Sequence, residues 1–120
     1  MRIGAGMVAG LAGLAVAHAA SAGLFSGKAF DDVAAVDVAE AVVAHEHLSA
    51  LSSNCLEFHP TAGAPLTFSV DVRENHAKEC GGDPAITPLL FILDVDGASK
   101  TVRLRRTGDP DRVLKWRRSR

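Results

Sequence analysis

Between residues 66 and 105 the chain alternates apolar and polar positions twice, with a denser apolar run in between. Leu66, Phe68, Val70 and Val72 alternate with Thr67, Ser69, Asp71 and Arg73. Successive side chains of a strand point to opposite faces, so this pattern predicts a strand with one buried and one wet face. Leu89 to Val95 is almost continuously apolar, which predicts a central strand or one covered on both faces. Asp96-Gly97 is a hairpin signal. From Lys100 to Arg105 the alternation resumes, with Val102 and Leu104 inward and Arg103 and Arg105 outward. Thr107-Gly108-Asp109-Pro110 predicts another turn, and Arg112 to Trp116 a last short strand. Upstream, Asn54 to His59 reads as a short strand or an extended segment, and Pro60 to Pro65 as a turn.

A different period governs residues 31–52, which we read as one helix. Asp31 and Asp32 stand where a cap and first-turn acids belong, and no Gly or Pro follows until Pro60. Val33, Val36, Ala41, Val43, Ala44, Leu48 and Leu51 fall within roughly 160° of one side of a helical wheel. Asp37, Glu40 and His47 intrude on that side. Short connections between consecutive strands favour antiparallel pairing, and the apolar face of such a sheet needs a lid, for which the helix is the one candidate. The expectation is an α+β domain over residues 31–116: one N-terminal helix on a three- to four-stranded antiparallel sheet.

The N-terminus has another pattern. Met1-Arg2 supplies a short positive region, Ile3 to Ala17 is an uncharged apolar run, and small-x-small sites follow at Ala17-His18-Ala19 and Ala20-Ser21-Ala22. This predicts a cleaved signal peptide over residues 1–22, with cleavage after Ala22 or Ala19. Residues 23–30 form a linker. The run is short for a membrane span, which needs about 20 apolar residues; no later segment has that length, so no stable span is expected after cleavage. No Cys stands directly after the cleavage site, Cys55 being far downstream, which argues against a lipid anchor. The Ala/Gly/Asp/Arg-rich composition looks bacterial, which makes the expected destination periplasmic or secreted.

Export gives the two cysteines their meaning. Cys55 and Cys80 are the only ones in the chain, and an even count in an oxidising compartment predicts a disulfide. After cleavage about 98 residues would remain. A domain of that size buries only about 60–65 % of its unfolded surface, so a covalent staple matters. No C-x-x-C pair points to redox or zinc chemistry.

The most individual segment follows the alternating strand: Glu74-Asn75-His76-Ala77-Lys78-Glu79-Cys80-Gly81-Gly82-Asp83-Pro84. It resembles a motif of small, exported, uncharacterised proteobacterial proteins, E-N-H, three residues, then C-G-G-D-P, followed by a strand. The resemblance implies an exported location and an α+β layout, and no catalytic assignment. Read from its residues, the loop is open to two interpretations. In one, His76 beside Glu74, Asn75, Glu79 and Asp83 forms a small polar binding site, with His76 as ligand or proton acceptor. In the other, Gly81-Gly82 supplies unusual backbone angles beside the disulfide, Asp83-Pro84 sets the turn into the next strand, and Asn75 and His76 hydrogen-bond the backbone.

Other candidates carry less. His45-Glu46-His47 is not H-E-x-x-H, and on a helix its histidines lie about 200° apart, so no metal is expected there. Asp94-Val95-Asp96-Gly97 lacks the distal Glu of a calcium loop. No Ser/His/Asp signature, phosphate-binding loop or dinucleotide fingerprint appears, and no cofactor is expected.

Charge is asymmetric under a formal net of −1. Gly23 to Gly97 holds twelve acidic and three basic residues; Ala98 to Arg120 holds nine basic and two acidic. The basic tail, residues 117–120, extends a cluster of Lys115, Trp116, Arg117, Arg118 and Arg120 that could bind an anionic surface or fold back on the acidic body. These features suggest a small periplasmic or secreted non-enzymatic protein of binding or inhibitor type, with an envelope or periplasmic protein as partner and no intracellular nucleic acid. Two alternatives stand beside it: a small metal- or His-dependent enzyme using the 74–84 loop, and an envelope-surface protein binding anionic polymers through the C-terminus.

Overall fold

The computed structural model describes residues 30–118; the expected signal peptide and nearly all of the linker lie outside the described residues. The element order is α1 (Asp32–Glu46), β1 (Leu56–Ala62), β2 (Thr67–Glu74), β3 (Leu89–Asp96), β4 (Thr101–Arg105) and β5 (Arg112–Leu114). Two short 3-10 turns, Ser53–Cys55 and Lys78–Cys80, flank the first hairpin. The strands form one antiparallel meander in the order β1-β2-β3-β4-β5, and α1 packs across it. The fold is therefore α+β, with five strands rather than three or four.

The two edge strands depart most from their expected bounds. β1 runs through Pro60, where the sequence predicts a turn, pairing Pro60 with Val70 and Ala62 with Phe68. An edge strand tolerates proline because one side of it has no ladder to supply. β5 is only three residues long. The apolar run of β3 is central, as its composition predicts, with Phe91, Leu93 and Val95 buried beneath the helix side.

The helix starts where expected: the Asp31 carboxylate accepts from the Ala34 amide at 2.9 Å. It ends earlier than expected, at Glu46. His47 adopts the left-handed conformation (φ 53°), and the Leu48 amide turns back to the Val43 carbonyl at 3.1 Å. Glycine usually fills that position, but histidine is among the residues that tolerate it.

The buried face also differs from the expected stripe. Ala35, Val38, Ala39, Val42 and Val43 are buried, a set with helical spacing, whereas Val33 is 72 % exposed and Ala44 is exposed. Of the seven expected inward positions, only Val43 belongs to the buried set. Ala and Val occur on every side of this helix, so its periodicity hardly distinguishes one face from another. The sheet selects the face, through Val70, Val72, Leu93, Val95 and Val102, all within 1 % of complete burial.

At one end the core is closed by aromatics. The Phe30 ring lies 5.9 Å from Phe68 and 5.5 Å from Trp116, and Lys100 sits 5.7 Å over the indole. Phe30 rests so close to Gly97 that a Cβ there would come within 2.5 Å of the ring, so the hairpin glycine makes room for this contact.

Candidate functional site

The end of β2 and the 3-10 turn after it bring the conspicuous loop against the 3-10 turn Ser53–Cys55 that precedes β1. Cys55 and Cys80 are joined, with Cα atoms 5.6 Å apart. The Asn75 amide donates to the Cys55 carbonyl at 2.8 Å, and the Asn75 side chain accepts from the Ala77 amide at 3.1 Å. Beyond the bridge, Gly81 (φ 77°) and Gly82 (φ 84°) turn the chain back. The Asp83 carboxylate accepts from the Ala85 amide at 3.0 Å and its carbonyl from the Ile86 amide at 3.0 Å. The returning limb is then tied to β2 by Glu74 donating its amide to the Pro88 carbonyl at 2.9 Å, and by Arg73 donating to the Thr87 carbonyl at 3.0 Å.

His76 lies at the centre of this arrangement. Its Nδ1 is 2.9 Å from the Asp83 carbonyl oxygen and its Nε2 2.6 Å from the Glu74 carboxylate. The ring is packed on Gly82 so closely that a Cβ at position 82 would stand 2.7 Å from it. Only 15 % of the His76 side chain is exposed. The hydrogen bond to Glu74, and next the one to the Asp83 carbonyl, raise its pKa above 6.5. Both nitrogens face acceptors, so both bonds form together when the ring is the doubly protonated imidazolium. Such a ring has no lone pair to abstract a proton or bind a metal.

Glu74, Asn75, His76 and Asp83 lie together in this loop with their polar atoms turned largely toward one another and the backbone, while Glu79 is exposed on the 3-10 turn. The loop exposes something else: Gly81 to Thr87 are exposed along the whole returning limb, with Ile86 at 51 % and Leu89, at the start of β3, at 44 %. Among the described residues, no three His, Cys, Asp or Glu side chains gather as a metal site. His59 pairs with Glu57 at 2.9 Å.

No protein-family model matches this chain, and neither does any curated protein or solved structure.

The basic C-terminal residues are scattered. Trp116 packs on Phe30 and the core; Arg118 donates to the Asp37 carboxylate of α1 at 3.1 Å; Lys115 is exposed; Arg120 lies outside the described residues. Among the described residues, Arg118 thus turns back onto an acidic residue of the body.

Sequence reasoning missed the polar network on the outer sheet face. Asp94 on β3 accepts from Arg105 on β4 at 2.6 and 3.2 Å and from Ser69 on β2 at 2.8 Å. Partial burial alone would raise the Asp94 pKa; these donors outweigh it and hold the carboxyl below its ordinary range. The one signal was parity, since Ser69, Asp94 and Arg105 all occupy outward positions. A shallow cavity of about 430 Å³ opens beside this network, lined by Thr67, Asp94, Asp96, Thr101, Arg103 and Val113 among others. His76 does not line it.

Proposed function

We propose that the protein is a small periplasmic or secreted binding or inhibitor-type protein without catalytic activity, and that the limb from Gly81 to Leu89 is its contact surface. The observation that carries this reading is an exposed apolar segment held in a single shape. Ile86 and Leu89 face solvent on a limb tied down by the Cys55–Cys80 bridge, by the His76 contacts and by the bonds from Arg73 and Glu74. A preordered loop loses little conformational freedom on binding, and that is where its affinity would come from. The disulfide is compatible with an extracytoplasmic address. The commitment of both His76 nitrogens to the loop's own acceptors argues for a structural rather than a catalytic histidine. An extracytoplasmic protein with an apolar pocket suits such a limb, because one buried aliphatic anchor commonly dominates an interface of this kind.

The test is a photo-crosslinking residue placed at position 86, and in a second strain at position 33 on the exposed side of α1, in exported protein. A discrete adduct at position 86 that unlabelled protein competes away, and that unlabelled Ile86→Asp protein does not, is the expected result. Equal yields at positions 86 and 33, or none at 86, would overturn the reading.

A further inference from the structure

We propose that His76 is a proton-operated latch: protonated, it holds the Gly81–Ile86 limb in its exposed, preordered shape, and neutral, it lets that limb go. The inference deepens the proposed contact surface and rests on it for its biological meaning, though the latch itself is a property of the loop.

The Asp83 carbonyl can only accept, and so can an ionised Glu74 carboxylate. They approach opposite nitrogens of one ring, at 2.9 and 2.6 Å. A neutral imidazole has one N–H and therefore satisfies one of them, turning a lone pair toward the other. The shorter, charge-assisted bond to Glu74 is the one retained. The proton lost to solvent is then the one on Nδ1, and the Asp83 carbonyl loses its donor. That carbonyl sits just past Gly81 and Gly82, both at positive φ, where the backbone is least restrained. It also accepts from the Ile86 amide, so its release loosens the turn that carries the apolar side chain.

The charges acting on the ring are the Glu74 carboxylate at the end of β2 and the Asp83 carboxylate across the loop. The nearest cations in the chain are Lys78, which is exposed on the intervening 3-10 turn, and Arg73, which is occupied by the Thr87 carbonyl and by Asp71 at 3.3 Å. Both acids favour the imidazolium, in keeping with the raised pKa. A histidine whose folded pKa is raised contributes its stability fully below the unfolded value of 6.5, and that contribution is lost as pH climbs through the folded value. The limb is therefore tightest in mildly acidic surroundings and loosens toward alkaline ones.

The experiment follows the His76 ring nitrogens by NMR in the exported protein from pH 5 to 9, alongside amide exchange of Gly82 to Ile86 (about the range in which histidine titrates). The expected result is a ring pKa above 6.5 and loop exchange that rises in step with it, beyond the increase base catalysis alone imposes. Glu74→Gln should bring both midpoints down together. A ring pKa at or below 6.5, or loop amides indifferent to ring titration, would falsify the latch whatever the loop binds. Photo-crosslinking at position 86 over the same pH range separates the two ideas. A yield that falls with ring deprotonation supports both. Loosening of the loop with an unchanged crosslink keeps the latch and removes the limb as the contact surface.

Discussion

Under the helix not one buried side chain is polar, while in the loop from Asn75 to Pro88 no residue is fully buried at all. The two regions are ordered by different means. The helix–sheet layer is held by apolar area, which is strong but undirected: Val, Ala and Leu settle wherever water is excluded. The loop is held by directed links, namely one disulfide, a histidine between two acceptors, and backbone amides capped by Asp83 and Asn75. Undirected burial supplies most of the free energy, and directed bonds specify a shape that burial alone would leave loose. Substitutions in the first region should therefore move global stability and leave the loop's local chemistry alone, while those in the second should alter that local chemistry, with a global cost that is large only where the disulfide is lost.

The largest expected effect is Leu93→Ala, at a fully buried position on the central strand. Its cost should be about 3–5 kcal/mol, from lost transfer energy and the cavity left behind. Urea denaturation measures it, and the His76 titration under native conditions should not move. If it moves, the two regions are coupled more tightly than their contacts suggest.

Next comes the bridge. Cys55→Ser with Cys80→Ser frees a loop with a sequence separation of 25, worth about 3 kcal/mol by chain entropy. This change should also alter the loop, bringing the His76 pKa back toward its ordinary value as Glu74 and Asp83 drift apart. A full loss of stability with no change at His76 would show that the polar contacts hold the loop unaided.

A smaller global cost, about 1–2 kcal/mol, is expected for Gly82→Ala, which forces a side chain into a left-handed conformation and against the His76 ring. Its local effect should be large: the imidazole is displaced and its pKa falls. Wild-type ring chemical shifts in this variant would refute the packing described. The smallest effect is Arg118→Ala. The pair with Asp37 is half-exposed, at 49 % and 28 % of the two side chains, and surface pairs of this kind contribute roughly 0–1 kcal/mol. Thermal melting should barely shift, and a larger loss would mean the tail is part of the core layer.

Much of the sheet was legible because period-two alternation is unambiguous: Phe68 to Arg73 and Val102 to Arg105 read directly as strands with known faces. The edge strands carried that signal less clearly. Asn54 to His59 and Arg112 to Trp116 read as short strand or extended segments, but the run of β1 through Pro60 to Ala62 exists because β2 offers hydrogen-bonding partners, which no local pattern announces. The helix C-terminus was hidden for a similar reason, since His47 performs a turn that a glycine would have advertised. In the loop, the residue types pointed to the right segment, and the Gly81-Gly82 pair announced its unusual backbone. Which acceptor meets which nitrogen of His76 depends on how the limb from Asp83 returns, and that is set by a bridge between residues far apart in the chain.

By itself the amino-acid sequence determined the class of the domain, the central place of β3, the start of the helix and the pairing of the only two cysteines, because each depends on short-range periodicity, capping chemistry or arithmetic. The tertiary structure alone decided which side of the helix is inside. An Ala/Val helix is nearly equally apolar all round, so its orientation comes from the shape of the sheet beneath it. The same holds at His76: a ring between two acceptors exists only after folding has brought the Asp83 carbonyl back to Glu74.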